Sequence, residues 1–362
     1  MTGRPHEPQP TGGQPGFARR VLLAASLAAG MFLLLIALWF AAHALLVAFA
    51  GVLVAIVLRA PADWLAERSR LSERWSLAVV LAILAAALAG LGLLIAPQVS
   101  EQVQQLSEQL PQSLQQFRQW LQEREWGRWL LTVVPSPELM QTGGAGGLLS
   151  RAGGMAYSAV QTFFELLVLL FVSLYLAIDP RLYTEGLLRL FPPRQRGRAA
   201  EVLAATGRTL RWWLVGTLVR MAAVGAMTFV GLWLLGVPLA FTLALLALLL
   251  DFVPYFGPIL AAVPAVLLAF TDGPQQALYV AALYIAVQQI EGLLITPLLY
   301  QRTVHLPPVV TILAQVVLFA MFGNLGILLA TPLAAVGLVW VKMLYVEQAL
   351  GDRLETPDDA DP

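Results

Sequence analysis

The stretch Leu243–Phe270, LALLALLLDFVPYFGPILAAVPAVLLAF, sets two short apolar runs about a polar hinge, Asp251-Phe-Val-Pro-Tyr-Phe-Gly-Pro258. Each run is about 12 residues or fewer, whereas a helix needs roughly 20 apolar residues to cross a bilayer. The hinge holds Pro254, Gly257 and Pro258, which do not continue a helix, and one acid, Asp251. Broken backbone at membrane depth is tolerated only where protein buries it or where it lines a water-filled cavity. A short, Gly/Pro-interrupted apolar segment is therefore a sequence pointer to a transport site.

The rest of the chain supports that setting. Of 362 residues, 59% are hydrophobic and 12% charged, and mean hydropathy is +0.74. A soluble domain carries about 25% charged residues, so the composition is that of a polytopic membrane protein. With no cysteine, disulfides, thiol catalysis and Cys-based metal sites are excluded. His6, His43 and His305 are far apart in sequence, and the one lysine, Lys342, lies in Val341-Lys342-Met343. A phosphate-cradling loop needs Gly-Lys-Ser/Thr, so the chain has no ATPase of this kind. No nucleophile–base pair suggests an enzyme, and no cofactor, metal or nucleic acid is expected.

Residues 1–18 are rich in Pro, Gly and Gln and read as a disordered cytoplasmic tail. Arg19-Arg20 precede the first span, Val21–Ala42; His43 falls in a short outer turn; the second span runs from Leu45 to Leu58. Arg59, Arg68, Arg70 and Arg74 mark the cytoplasmic side. The third span is Trp75–Ala96. From Pro97 to Val134 apolar residues recur at Val99, Val103, Leu106, Leu110, Leu114, Phe117 and Leu121. Steps of three and four make an amphipathic helix, here with a Gln-rich polar face and a break at Pro111. It reads as an extracytoplasmic arm that covers an entrance or a second subunit, or else as a connector folded onto its own spans. Thr142–Gly154 is a loop, and residues 97–154 are taken together as arm and loop.

Met155–Ile178 is a fourth span, with Glu165 about two turns inside. Asp179–Arg211 carries seven arginines against three acids and reads as a cytoplasmic loop with an amphipathic helix, Leu187, Leu188, Leu190 and Phe191 on its apolar side. Trp212–Leu235 is a fifth span. The broken hairpin 239–270, the segment Ala277–Leu299 kinked by Pro297, and a second broken hairpin of Pro308–Phe322 and Leu325–Val341 complete a core over 155–346. The second hairpin is hinged at Gly323-Asn324-Leu325-Gly326 and interrupted by Pro332. Asp251, Gly257 and Pro264 sit roughly where Asn324, Gly326 and Pro332 sit, a loose internal repeat. Residues 347–362 form a polar, acidic cytoplasmic tail.

Glu291 is the sharpest candidate, because an ionised side chain at mid-bilayer depth costs several kcal/mol and faces a cavity or a partner. Gln288 shares its face at i−3, and Gln289 is on an adjacent face. Such a group can bind a cation or polar solute or relay a proton; it can also be a packing hydrogen bond. Asp251 is the second candidate, with Tyr255 and Asn324 as polar contacts. Pro254, Gly257, Pro258, Pro264, Pro297, Gly323, Gly326 and Pro332 set backbone shape.

The hinge Asp251–Ile259, the run Gln288-Gln-Ile-Glu-Gly-Leu-Leu-Ile-Thr-Pro297, and His305-Leu-Pro-Pro308 leading to Phe322-Gly-Asn-Leu-Gly-Ile-Leu-Leu-Ala-Thr-Pro332 resemble the autoinducer-2 exporter family of bacterial permeases. The resemblance covers about residues 20–346. It implies a homo-oligomeric inner-membrane permease exporting a small signalling furanone; members are also associated with sodium/proton exchange. The expected fold is an all-α integral membrane protein of about eight transmembrane segments, including two broken or re-entrant hairpins, with both termini cytoplasmic. The leading expectation is gradient-driven or facilitative export of a small polar solute such as autoinducer-2. Cation/proton antiport on Glu291 and Asp251 is one alternative; a non-transporting scaffold acting through the 97–134 arm is another. The partners implied are the lipid bilayer, a small polar solute and H+ or Na+.

Overall fold

The computed structural model describes residues 15–69, 71–125, 128–129, 164–300, 307–348 and 350. The readings of residues 1–14, the loop 142–154, the first half of the fourth span, His305 and the tail beyond 350 lie outside them. The chain divides into two compact units, Met1–Val47 and Ala48–Pro362. The candidate site lies within the second.

The described elements are helical. Helix α1 is Pro15–Arg68 and α2 is Glu73–Gln122. Next come α3, Phe164–Ile178, and α4, Pro180–Arg189, bent from α3 by 89°. A 3-10 turn at Pro193–Gln195 leads into α5, Arg196–Leu234. Helices α6, Ala240–Leu250, and α7, Phe256–Ala269, form the first hairpin. Helix α8, Pro274–Ile290, passes through a π-helical turn, Glu291–Ile295, into α9, Thr296–Tyr300. Helix α10 is Pro308–Trp340.

Three boundaries differ from the sequence reading. Helix α1 runs through His43 without the expected turn; Ala42, His43 and Ala44 carry no Gly, Pro or Asn to stop it. Helix α2 continues through Pro97 and Pro111, so the third span and the arm as far as Gln122 are one helix and Pro111 is not a break. A proline removes one hydrogen bond and bends a helix, which a helix of 50 residues survives. Helix α5 begins 16 positions before Trp212 and absorbs half of the predicted loop 179–211.

Five helices among the described residues are long and apolar enough to cross a membrane, or six if the bent pair α3–α4 counts as one span. The sequence reading counts about eight. That count includes the run 21–42, which belongs to α1, and the hairpin 239–270, whose arms are 11 and 14 residues long.

The main core lies where the first hairpin meets α5 and α8. It holds Leu232, Leu243, Ala261, Leu268 and Val280, all fully buried. Gly225 and Gly231 on α5 bring Leu248 and Leu283 close to the helix backbone, the small-residue contact that packs helices in membranes. The arm's apolar stripe lies on this core. Leu106 packs against it, Phe117 and Trp120 meet Phe270 edge-to-face at 5.2 and 5.5 Å, and Gln102 accepts a 2.6 Å hydrogen bond from Thr242. The arm thus folds onto its own chain.

Both hairpins turn back sharply. Residues seven or eight apart in a helix are separated by about 11–12 Å along its axis. Yet a Cβ on Gly257 would strike the Leu250 carbonyl, and one on Gly326 the Leu318 carbonyl. In α10 the reversal occurs at Gly323, φ 60° and ψ −138°, a conformation that glycine adopts without a Cβ clash.

Candidate functional site

The first hairpin breaks at residues 251–255. Helix α6 stops at Asp251, its C-cap, where the chain turns through Phe252-Val253-Pro254. Tyr255 follows with φ 68° and ψ −52°. The Phe256 N–H donates to the Pro254 carbonyl at 2.9 Å, so Tyr255 is the centre of the rare, strained γ-turn of positive φ. A non-glycine residue held this way costs of order 1–3 kcal/mol and persists where its surroundings over-determine it. They do so here: Trp213 of α5 packs edge-to-face on Phe252 at 5.8 Å, and Gln315 of α10 donates to the Pro254 carbonyl at 3.1 Å.

Three charged side chains meet beside this break. Arg220, from the middle of α5, donates through Nη2 to the Asp251 carbonyl at 2.7 Å. A cation there sits at the negative end of α6 and satisfies a carbonyl that the helix leaves open. Its Nε lies 3.3 Å from Oδ2 of Asp251, and its Nη1 lies 3.4 Å from Oε1 of Glu291. All three are buried, Asp251 to 1% exposure. The two carboxylate contacts exceed the 2.7–2.9 Å of a tight charge-assisted hydrogen bond. Among the described residues neither carboxylate oxygen of Asp251 accepts a hydrogen bond. One guanidinium therefore faces two acids.

Glu291 owes its position to the π-turn. The wider turn comes just before Pro297, whose ring cannot fit a regular α-helical repeat. Gln288, one turn earlier, lines the same cavity as Glu291.

The cluster forms one wall of a cavity of about 480 Å³. Of the candidates read from the sequence, Asp251, Pro254, Tyr255, Pro258, Gln288, Gln289 and Glu291 line it. Asn324 is exposed and does not line it; Gly323 and Gly326 shape the second reversal. Pro264 lies inside α7, Pro332 is fully buried inside α10, and Pro297 is exposed on α9. Glu165 is half-buried on α3, away from the cavity lining.

The sequence reading missed Arg220, Gln315, Trp213, Thr296, Thr311 and Thr331. For Arg220 the signal was present: a charge in Leu218-Val219-Arg220-Met221, mid-way along an apolar run, satisfies the same rule that marked Glu291. Gln315 breaks the run Pro308–Phe322 in the same way. It is fully buried, and its Nε2 also lies 3.5 Å from Thr331 Oγ1. The threonines carry no such signal, since hydroxyls are common in membrane helices. No three His, Cys, Asp or Glu side chains converge to hold a metal among the described residues.

Several known proteins are similar to this chain in sequence. The "Putative transport protein YueF" of Bacillus subtilis is 30% identical over 166 residues, 46% of this chain and 45% of that protein. A "Putative transport protein" of Thermotoga maritima is 25% identical over 225 residues, 62% of this chain and 67% of its own length. The "Putative permease PerM" of Escherichia coli is 28% identical over 215 residues, 55% and 61% of the two chains. The chain spans about half the length of the first two relatives that it matches. The family profile described as AI-2E family transporter matches residues 29–345, most of the chain. The chain belongs to the AI-2E family of transporters.

Proposed function

We propose that this is a multi-pass transporter of the bacterial inner membrane that exports a small polar solute, autoinducer-2 or a molecule like it, through the cavity beside the broken hairpin. The observation that carries the reading is the buried Arg220–Asp251–Glu291 cluster opening onto about 480 Å³ of space. Ionised groups at this depth are costly and mark solute and ion pathways. The rest of the lining suits a hydroxylated solute. Tyr255, Thr296, Thr311 and Thr331 offer hydroxyls, and Gln288 and Gln289 offer amides. Aromatic Trp213 supplies an apolar face.

The charge imbalance favours cation/proton antiport as a second reading. Arg220 balances one acid, and the other is free to take a proton or a monovalent cation. The two readings separate in one experiment. Labelled autoinducer-2 uptake is measured in inverted membrane vesicles with and without a pH gradient, for wild type and Glu291→Gln. Gradient-dependent uptake lost in the variant supports coupled export. Proton movement driven by sodium, without autoinducer-2 and lost in Glu291→Gln, supports antiport. No Glu291-dependent flux of either kind overturns both.

A further inference from the structure

A second built feature lies away from the cavity. Helix α4 has no buried residue, and Leu182, Tyr183 and Leu187 on it, with Leu190 and Phe191 just past its end, are exposed. In a membrane protein an apolar face of this kind meets lipid or a partner. Leu187, Leu188 and Phe191 form one side of a groove of about 290 Å³, and Val202, Trp340 and Leu344 form the other. The Trp340 wall is fixed by an indole N–H donated to Thr206 at 3.1 Å.

Charge is distributed unevenly around the groove. Arg181, Arg198 and Arg211 are each engaged by a carboxylate, Arg198 by both Glu201 and Glu347. Arg189, Arg194 and Arg196 have no carboxylate within 4.0 Å among the described residues. Arg196 does not line the groove, but it donates to the carbonyl of Phe191, which does, and to that of Arg189, at 3.1 and 3.5 Å. Arg189 is the last residue of α4 and Phe191 lies two beyond it, so Nε and Nη2 of the guanidinium are engaged there, and among the described residues Nη1 makes no hydrogen bond.

We infer that this groove is a binding site for an anionic phospholipid, with an acyl chain between Phe191 and Trp340 and the phosphate at Arg194 and Arg196. The 89° bend between the apolar α3 and α4 is the geometry of an amphipathic helix that leaves a span to lie along a membrane surface, its apolar face toward the acyl chains. Unpaired arginines at that depth meet a phosphate layer, and the charge complementarity selects an anionic headgroup over a zwitterionic one. The inference is independent of what the cavity transports.

The test uses the full chain in phosphatidylcholine vesicles containing a minor brominated lipid, either phosphatidylglycerol or phosphatidylcholine. Bromine quenches tryptophan on contact, and the Trp340 signal is the difference between wild type and Trp340→Phe. Brominated phosphatidylglycerol is expected to quench Trp340 at a lower mole fraction than brominated phosphatidylcholine, by about fivefold for each arginine engaged. Arg194→Gln alone removes part of that preference. Arg194→Gln combined with Arg196→Gln removes it entirely and leaves quenching by brominated phosphatidylcholine unchanged. Equal quenching by the two lipids in wild type overturns the inference, as does a preference that survives the double variant. A preference that appears only after residues 351–362 are deleted also overturns it, because the acidic tail would then be the occupant.

Discussion

At the scale of single residues, Arg220 decides how the site holds together. Its three contacts join α5 to the end of α6 and to the π-turn. Removing one partner of a buried ion pair leaves an uncompensated charge and costs about 3–5 kcal/mol. Arg220→Gln is therefore expected to lower the thermal midpoint in detergent by many degrees. Adding Asp251→Asn and Glu291→Gln to Arg220→Gln should restore much of that loss, since the triple variant buries no charge. Thermal unfolding followed by circular dichroism checks this; a triple variant no more stable than the single one refutes the account. Glu291→Gln alone should keep stability within about 1 kcal/mol of wild type, because Gln keeps the shape and can still accept from Arg220. The same residues show what the sequence could reveal. Asp251 and Glu291 stand out because a charge in an apolar run has few innocent explanations. Arg220 is as visible, but the run around it reads as an ordinary span. The pairing of one cation with two acids joins positions 220, 251 and 291, and only the fold brings these together.

At the scale of elements, the two reversals depend on glycines that nothing larger can replace. At Gly257 a Cβ meets the backbone carbonyl of Leu250, which cannot swing aside as a side chain can. Gly257→Ala should therefore destabilise by about 1–3 kcal/mol. Gly207→Ala, on α5 with nothing within 4 Å of its Cβ, should stabilise by about 0.5–1 kcal/mol through helix propensity. Thermal midpoints of the two variants check the pair, and equal shifts would show that the reversal does not need its glycine. The breaks at 251–255 and at Gly323 were legible because Pro and Gly act locally. The continuity of α2 through Pro97 and Pro111 was not, because it depends on what the helix packs against. The arm's fate was open for the same reason: its stripe was readable, its partner was not. The contact with Phe270 makes that partner testable. A double-mutant cycle on Phe117 and Phe270, each to Leu, should return a coupling of about 0.5–1.5 kcal/mol. A coupling near zero would mean that the arm is held elsewhere.

At the scale of the whole molecule, the two hairpins meet at one polar point. Gln315, on the first arm of the second hairpin, donates to the Pro254 carbonyl at the break of the first. The cavity borders this junction: Pro254 and Tyr255 come from one hairpin, Thr311 and Thr331 from the other. A cavity shared by two broken elements can change its opening when one moves against the other, because packed interfaces switch between discrete arrangements. Under the proposed function, such a cavity opens to one face of the membrane at a time. The chain has no cysteine, so a single introduced thiol reports without background. Tyr255 is 45% exposed and Gln289 is exposed, and both line the cavity. Tyr255→Cys and Gln289→Cys are each expected to react with a membrane-impermeant thiol reagent from one face of sealed vesicles and to be protected from the other. A saturating transported solute should slow that reaction. Gln315→Leu removes the tie at the junction and should shift reactivity toward the second face while the protein stays folded. Equal reaction from both faces in the unmodified background would mean a continuous pore, and the junction at Gln315 would then be packing alone.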